Sequence, residues 1–352
     1  MKKIPLFSLL ATLLLPVSAS AHEVYVLSNE TISTALATPR FEMLPIVFSN
    51  IGAFLFWASV TMVTVVGVFF FSISRRMEKK FSPWFEKMRP WAPLVGRVTI
   101  GISFLAAALF QANYGPELPL SETFGSFTPF ATALLTLIGV CITFGFFVRG
   151  AAFIALAFFA IATYFNGWYM LTYLTYLGEI IVLILLGAHK LGSSSSRELL
   201  SVGVPKFFAR LTDKLAPYSF LILRVTFGIS VIYSALYAKI IHNNLALAVA
   251  ADPLANHLYG VAHYLGFEAH FLVLGAAILE VVLGICFVLG IEIRFFALFL
   301  EFWLGLSLYY FGESVWPHLM LFGIPLVFFL YGYDKYSLEG RYFKKGKLQP
   351  VL

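Results

Sequence analysis

Charge is scarce in this chain: 12% of its 352 residues are Asp, Glu, Lys or Arg, against 60% that are hydrophobic. A water-soluble domain of this length cannot hide so much apolar surface, so composition points to a bilayer as the solvent. Cysteine is nearly missing too. Cys141 and Cys286 both fall in apolar segments without Cys-x-x-Cys spacing, which excludes a disulfide framework and a thioredoxin-like motif. No Gly-rich phosphate loop, Ser/His/Asp order or helical His-Glu-x-x-His motif occurs, so the familiar nucleotide, hydrolase and zinc-protease signatures are absent. The net charge of +6 does not indicate nucleic-acid binding, because the basic residues sort by membrane side.

What the chain has is internal repetition. Arg97-Val98-Thr99-Ile100-Gly101-Ile102-Ser103 returns 127 residues later as Arg224-Val225-Thr226-Phe227-Gly228-Ile229-Ser230. Gly139, Cys141, Gly145 and Arg149 return 145 residues later as Gly284, Cys286, Gly290 and Arg294. Tyr164, Gly178, Gly187 and Lys190 match Tyr309, Gly323, Gly332 and Lys335 at that second offset. The fold class expected is all-α and polytopic, with two copies of one helical unit and an 18-residue insertion in the second.

The chain divides accordingly. Residues 1–21 read as a cleavable signal peptide: Lys2 and Lys3, an apolar run, then Ala19-Ser20-Ala21. Residues 22–43 form an outer polar segment, and 44–91 a first span with a basic cytoplasmic segment. The first four-helix repeat covers 92–189, a cytoplasmic linker 190–216, the second repeat 217–334 and a basic tail 335–352. Nine spans of roughly 20 residues are expected: 44–72, 92–113, 127–147, 150–165, 168–188, 217–241, 270–289, 293–311 and 315–333. Nearly all Lys and Arg then fall on the inner side, while Arg40 and Lys239 remain outside. This predicts a bacterial inner-membrane protein, its mature N-terminus periplasmic and its C-terminus cytoplasmic. Four spans per copy make the repeats parallel.

The second copy resembles a DoxX-type unit, a four-helix membrane bundle. The likeness rests on Arg224-x3-Gly228 with Lys239, then Glu280-x3-Gly284-x5-Gly290-x3-Arg294. It covers about 217–336 well and the first copy more weakly. It implies membrane redox work, as in the thiosulfate:quinone oxidoreductase membrane subunit and in partners of thiol or oxidative-stress enzymes. The chain departs from the single-unit pattern in its duplication, leader, additional span and longer outer loop.

Buried carboxylates carry the chemistry expected from the residues alone. Helical rise puts Glu280 roughly 15 Å and Glu301 roughly 12 Å from their helix ends; Glu179 lands near the midplane too. Such groups face the bundle interior, pair, or stay protonated. The candidate polar site comprises Lys239, Glu280, Glu301, Arg224, Arg294 and Glu179. Arg224 and Arg294 read either as snorkelling cations or as partners of a carboxylate. Lys239, a cation on the outer side, calls for a partner; Glu280 qualifies if the lysine stem bends inward, with Glu268 an alternative. Ala112 and Leu135 stand where the second copy has Lys239 and Glu280, so a working site belongs mainly to copy two.

His22, His257, His263, His270 and His318 gather on the predicted outer side as weak metal candidates, although their spacing fits no strong ligand motif. Cys141 and Cys286 read as packing residues among small glycines. Trp168, Trp303, Trp316 and Tyr310 are candidates to line a flat-ring site. Three functions follow: a redox-associated protein binding quinone or a redox partner protein at the outer half of copy two; a small-solute or ion carrier using midplane carboxylates; or a non-catalytic scaffold for an exported enzyme. In each the lipid bilayer is a partner and nucleic acid is not.

Overall fold

A computed structural model describes residues 27, 29–43, 45, 54–187, 214–251, 269–311 and 316–343. The leader, most of the linker, part of the insertion and the end of the tail lie outside these residues. Among those described, every regular element is helical, as backbone in hydrocarbon requires; an isolated bridge joins Ala112 and Pro119.

The helices are α1 (Asn29–Ala37), α2 (Phe54–Met88), α3 (Ala92–Leu109), α4 (Leu120–Phe124), α5 (Thr128–Phe144), α6 (Val148–Asn166) and α7 (Leu174–Leu186) in the first half. The second half holds α8 (Ser219–Leu236), α9 (Asn243–Ala251), α10 (Ala269–Leu289), α11 (Ile293–Phe311) and α12 (His318–Tyr331). Five helical stretches are long and apolar enough to cross a membrane: Arg76–Leu109, Leu120–Phe144, Val148–Leu186, Ala216–Ile241 and Ala269–Leu289, with His318–Tyr331 shorter. The chain is a helical protein built to contact lipid. Val148–Leu186 merges two expected spans, because the 3-10 segment Gly167–Tyr173 bridges α6 and α7. The two helices nevertheless pack side by side, the chain reversing at Gly167 with φ +55. The first span was expected over 44–72; α2 instead continues to Met88, since the basic stretch after Ser72 is itself helix-favouring.

Neighbouring helices close a circuit: α3 packs on α5, α5 on α6, α6 on α7, α7 on α8, α8 on α10, α10 on α11, α11 on α12, and α12 returns to α3. The last helix of each half thus leans on the first helix of the other. Glycines permit the close approaches. A Cβ on Gly178 would strike the Thr226 side chain, and one on Gly323 would strike Thr99. These pairs correspond at the offsets seen in the sequence. Gly228 and Gly284 likewise bring α8 and α10 together, each placing its carbonyl where the other's Cβ would stand (2.7 Å and 2.6 Å). α3 and α5 approach as closely: a Cβ on Gly139 would stand 2.9 Å from Gly101 O, and one on Gly101 would strike Thr143.

The arginines gather at one end of the bundle. α5 and α10 both finish in the same cap: Phe146 N donates to Cys141 O at 2.8 Å, and Ile291 N to Cys286 O at 3.0 Å. Gly145 and Gly290 supply the left-handed residue at φ +82 and +70. Arg224 Nη1 donates to Phe287 O and Val288 O, both at 2.6 Å, and Arg97 Nη1 lies against Gly145. Arg149 donates to Leu185 O at 3.2 Å, and Arg294 to Phe329 O at 2.9 Å and Tyr331 O at 3.3 Å. Four arginines therefore sit at four helix C-termini, where carbonyls lack partners and the helix dipole favours a cation.

The C-terminal part of α2 is anchored there. Arg294 bonds Glu78 at 2.7 Å and lies 4.1 Å over the Phe85 ring; Phe85 meets Phe329 at 5.3 Å. Farther along, Met62, Val65, Val68 and Phe69 of α2 are exposed, as a lipid-facing stretch would be.

Candidate functional site

The end opposite the arginines carries the unusual chemistry. α8 stops at Leu236 and the backbone widens into a π turn, Tyr237–Ile241. Such turns shift the register of the residues beyond and recur at functional sites. Lys239 is buried on this turn, and its Nζ lies 3.1 Å from Glu280 Oε2 on α10. The lysine side chain is 9% exposed and the glutamate 19%, so the pair is enclosed with one edge open on the acid. Ala112 and Leu135, at the corresponding places of the first half, are both buried and apolar.

A second acid, in the first half, is tied to the same π turn through tyrosines. Glu117 occupies the loop between α3 and α4, and its Oε1 accepts a hydrogen bond from Tyr169 Oη at 2.9 Å and another from Tyr173 Oη. Glu117 Oε2 is buried and has no hydrogen-bond partner among the described residues. Aromatic rings run from this acid to the π turn. Tyr169 meets Tyr237 edge-on at 5.1 Å, and Tyr237 touches His242 at 4.6 Å and stacks near Tyr233 at 6.2 Å. On the other side Tyr114 meets Tyr176 at 5.0 Å and Tyr173 at 6.0 Å. Ser230 on α8 donates to Thr172 O, pinning the π-turn helix to the 3-10 segment that carries Tyr169 and Tyr173. The result is a run of phenols between the Glu117 carboxylate and the π turn that also carries Lys239.

The remaining predicted residues go elsewhere. Arg224 lies fifteen residues before Lys239 in α8, roughly 22 Å away along a helix, and acts as the cap described above. Arg294 is likewise a cap and anchor, so neither arginine joins Lys239 and Glu280. Glu301 on α11 is half-buried, with Oε1 unpartnered among the described residues. Glu179 on α7 is buried against Gly96, nearer the arginine end. His22, His257 and His263 fall outside the described residues. His270 packs edge-on against Phe41 at 4.7 Å, within a patch where Asn243 exchanges hydrogen bonds with the Phe41 backbone. His318 is buried at the start of α12. Trp168 is exposed and Trp316 buried, so they do not share one ring-lined surface.

Among the described residues, one group of three potential metal ligands occurs, Glu78, Glu292 and Glu339, with their oxygens within 4.8 Å of one another. Arg294 bonds Glu78, and the Ile293 amide donates to Glu339 Oε2 at 2.9 Å, so the acids already serve the cap. Nearby, burial holds the Asp334 carboxyl above the ordinary aspartate range, against the opposing pull of the Arg224 guanidinium.

The residues that sequence reasoning missed are Glu117 and its tyrosines. The signal was present in Tyr169, Tyr173 and Tyr176, spaced four and three apart on one helical face. Nothing local tied that face to a loop glutamate some fifty residues earlier. Compared with protein-family models, curated proteins and solved structures, the chain matches none.

Proposed function

We propose that this chain is a DoxX-like membrane protein of nine spans, one first helix plus two parallel four-helix repeats, that binds a quinone headgroup at the outer half of its second repeat. The matched glycine contacts between the halves support the duplication, and the one-sided basic residues support a bacterial inner-membrane placement with the C-terminus cytoplasmic.

The observation that carries the reading is the Lys239–Glu280 pair on a π turn whose Tyr237 meets Tyr169, the hydrogen-bond donor to Glu117. A quinone needs hydrogen-bond donors for two carbonyl oxygens, an aromatic surface for its ring and groups that pass protons when it is reduced. An ammonium and phenols supply the donors, tyrosine rings the surface, and two carboxylates the proton exchange. Most ligand sites join apolar walls to a few placed polar groups.

The test is organic extraction of protein purified in mild detergent, with chromatographic assay of quinone, alongside Glu280→Gln and Tyr237→Phe variants. Near-stoichiometric quinone, falling several-fold in both variants at unchanged expression, is expected. Quinone-free protein that also fails to bind added ubiquinone or menaquinone analogues would overturn the reading.

A further inference from the structure

Glu179 occupies a place that none of the preceding chemistry uses. It is 2% exposed, and its Oε2 has no hydrogen-bond partner among the described residues. The carboxyl borders a cavity of about 40 Å³ between α3, α7, α8 and α12, the four central helices. That volume holds up to about three waters, since roughly 10–15 Å³ suffices for one. Ala92, Ser219, Gly187 and Tyr331 line the same space. Ala92, Ser219 and Tyr331 are terminal residues of their helices and Gly187 caps α7, all at the arginine end, so the cavity leads from that end to the acid. Ser219 Oγ is buried on it and also lacks a partner.

A buried polar atom left unsatisfied costs about 1–3 kcal/mol, and two of them on one water-sized space call for water. Among the described residues, no cation answers the acid. Arg97 on α3 is turned to Gly145, Arg224 on α8 to the carbonyls of Phe287 and Val288, and Arg89 lies 4.3 Å over the Tyr331 ring. α12 contributes Val327 and the Tyr331 phenol, and α7 itself no other charged group. The space is made for this acid: a Cβ on Gly96 would stand 2.7 Å from Glu179 Oε1. At the corresponding positions the second half has Leu223 and Ile324, so acid and opening occur once.

We infer that Glu179 is a proton-exchange site, a neutral carboxyl that gives its proton to, and recovers it from, water entering at the arginine end. The step is an acid–base exchange, carboxyl plus water to carboxylate plus hydronium and back, with no redox partner. It stands independently of what binds beside Lys239.

Infrared difference spectra of the full chain in lipid nanodiscs test it. A protonated carboxylic C=O band should shift in D2O and disappear in Glu179→Gln and in Glu179→Ile, the residue of the second half, while persisting in Glu301→Gln. In a Cys141→Ser/Cys286→Ser background, Ser219→Cys should react with a small charged thiol reagent from the face that carries the 190–216 linker. A band that survives both Glu179 variants, or vanishes in them yet never exchanges deuterium, overturns the proposal. So does a Ser219→Cys variant unreactive from that face.

Discussion

Lys239 and Glu280 meet at 3.1 Å on the π turn, where the first half places Ala112 and Leu135. A buried ion pair offsets its desolvation cost only while both partners remain. Lys239→Ala should therefore lower stability by about 3 kcal/mol, the low end for a buried pair because the acid is partly open, by stranding the acid. Lys239→Ala/Glu280→Leu, which restores the first-half residues, should melt close to the parent in detergent. A double variant as unstable as the single one would show that the pair is not what holds this corner.

The glycine contacts between the halves should tolerate no methyl group. Gly178→Ala forces the Thr226 side chain aside, and Gly323→Ala does the same to Thr99. Overpacking of this kind costs about 1–3 kcal/mol, and Thr226→Ala should recover much of the first loss. Gly275→Ala, with open space around it, is the control and should be neutral or stabilising. Equal melting shifts for Gly178→Ala and Gly275→Ala would contradict the close approach.

Glu78→Ala should loosen α2 while leaving the circuit of helices intact. Arg294 keeps its carbonyl contacts and the Phe85 ring but loses its ion pair to α2. Trypsin should cut faster at Lys79, Lys80 or Lys87, with little change in thermal melting. An unchanged digestion pattern would mean that Phe85 and Trp84 hold α2 unaided.

Asp334 sets a pH dependence whose sign follows from its raised proton affinity. The folded chain holds this proton more tightly than the unfolded chain does. The favourable contribution is full below the unfolded aspartate pKa of about 3.9 and is lost as pH climbs through the higher folded value. Asp334→Asn, having no charge to bury, should lack that decline, so the gap between variant and parent should widen in the variant's favour as pH rises above the acid range. Melting curves across pH that stay parallel would refute it.

Reporter fusions within 190–213 and after residue 347 should both report the cytoplasm. Opposite readings at the two sites would remove the parallel arrangement.

Much of this was legible as spacing. Gly139 and Gly284 read as residues that let helices approach closely, and they do; the Gly178–Thr226 and Gly323–Thr99 contacts fall at the offsets of 145 and 127, though the spacing did not say which residues would meet. Lys239 and Glu280 were paired on the condition that the lysine turn inward, which the π turn accomplishes. The arginines were harder: a cation at a helix end reads equally as snorkelling, ion pair or cap, and only the neighbouring helix's carbonyls distinguish them. Glu117 was illegible, since apolar periodicity tells which face is covered but not by what. The lean of α7 onto α8 and of α12 onto α3 was hidden for the same reason.

That reciprocal lean has a consequence for how such a protein can diversify. If two identical subunits met this way, any substitution near their dyad would arise twice, and a single acid there would become a facing pair of repelling charges. Joined in one polypeptide, the halves are released from that symmetry, and Glu179 can stand opposite an isoleucine position instead of its own image.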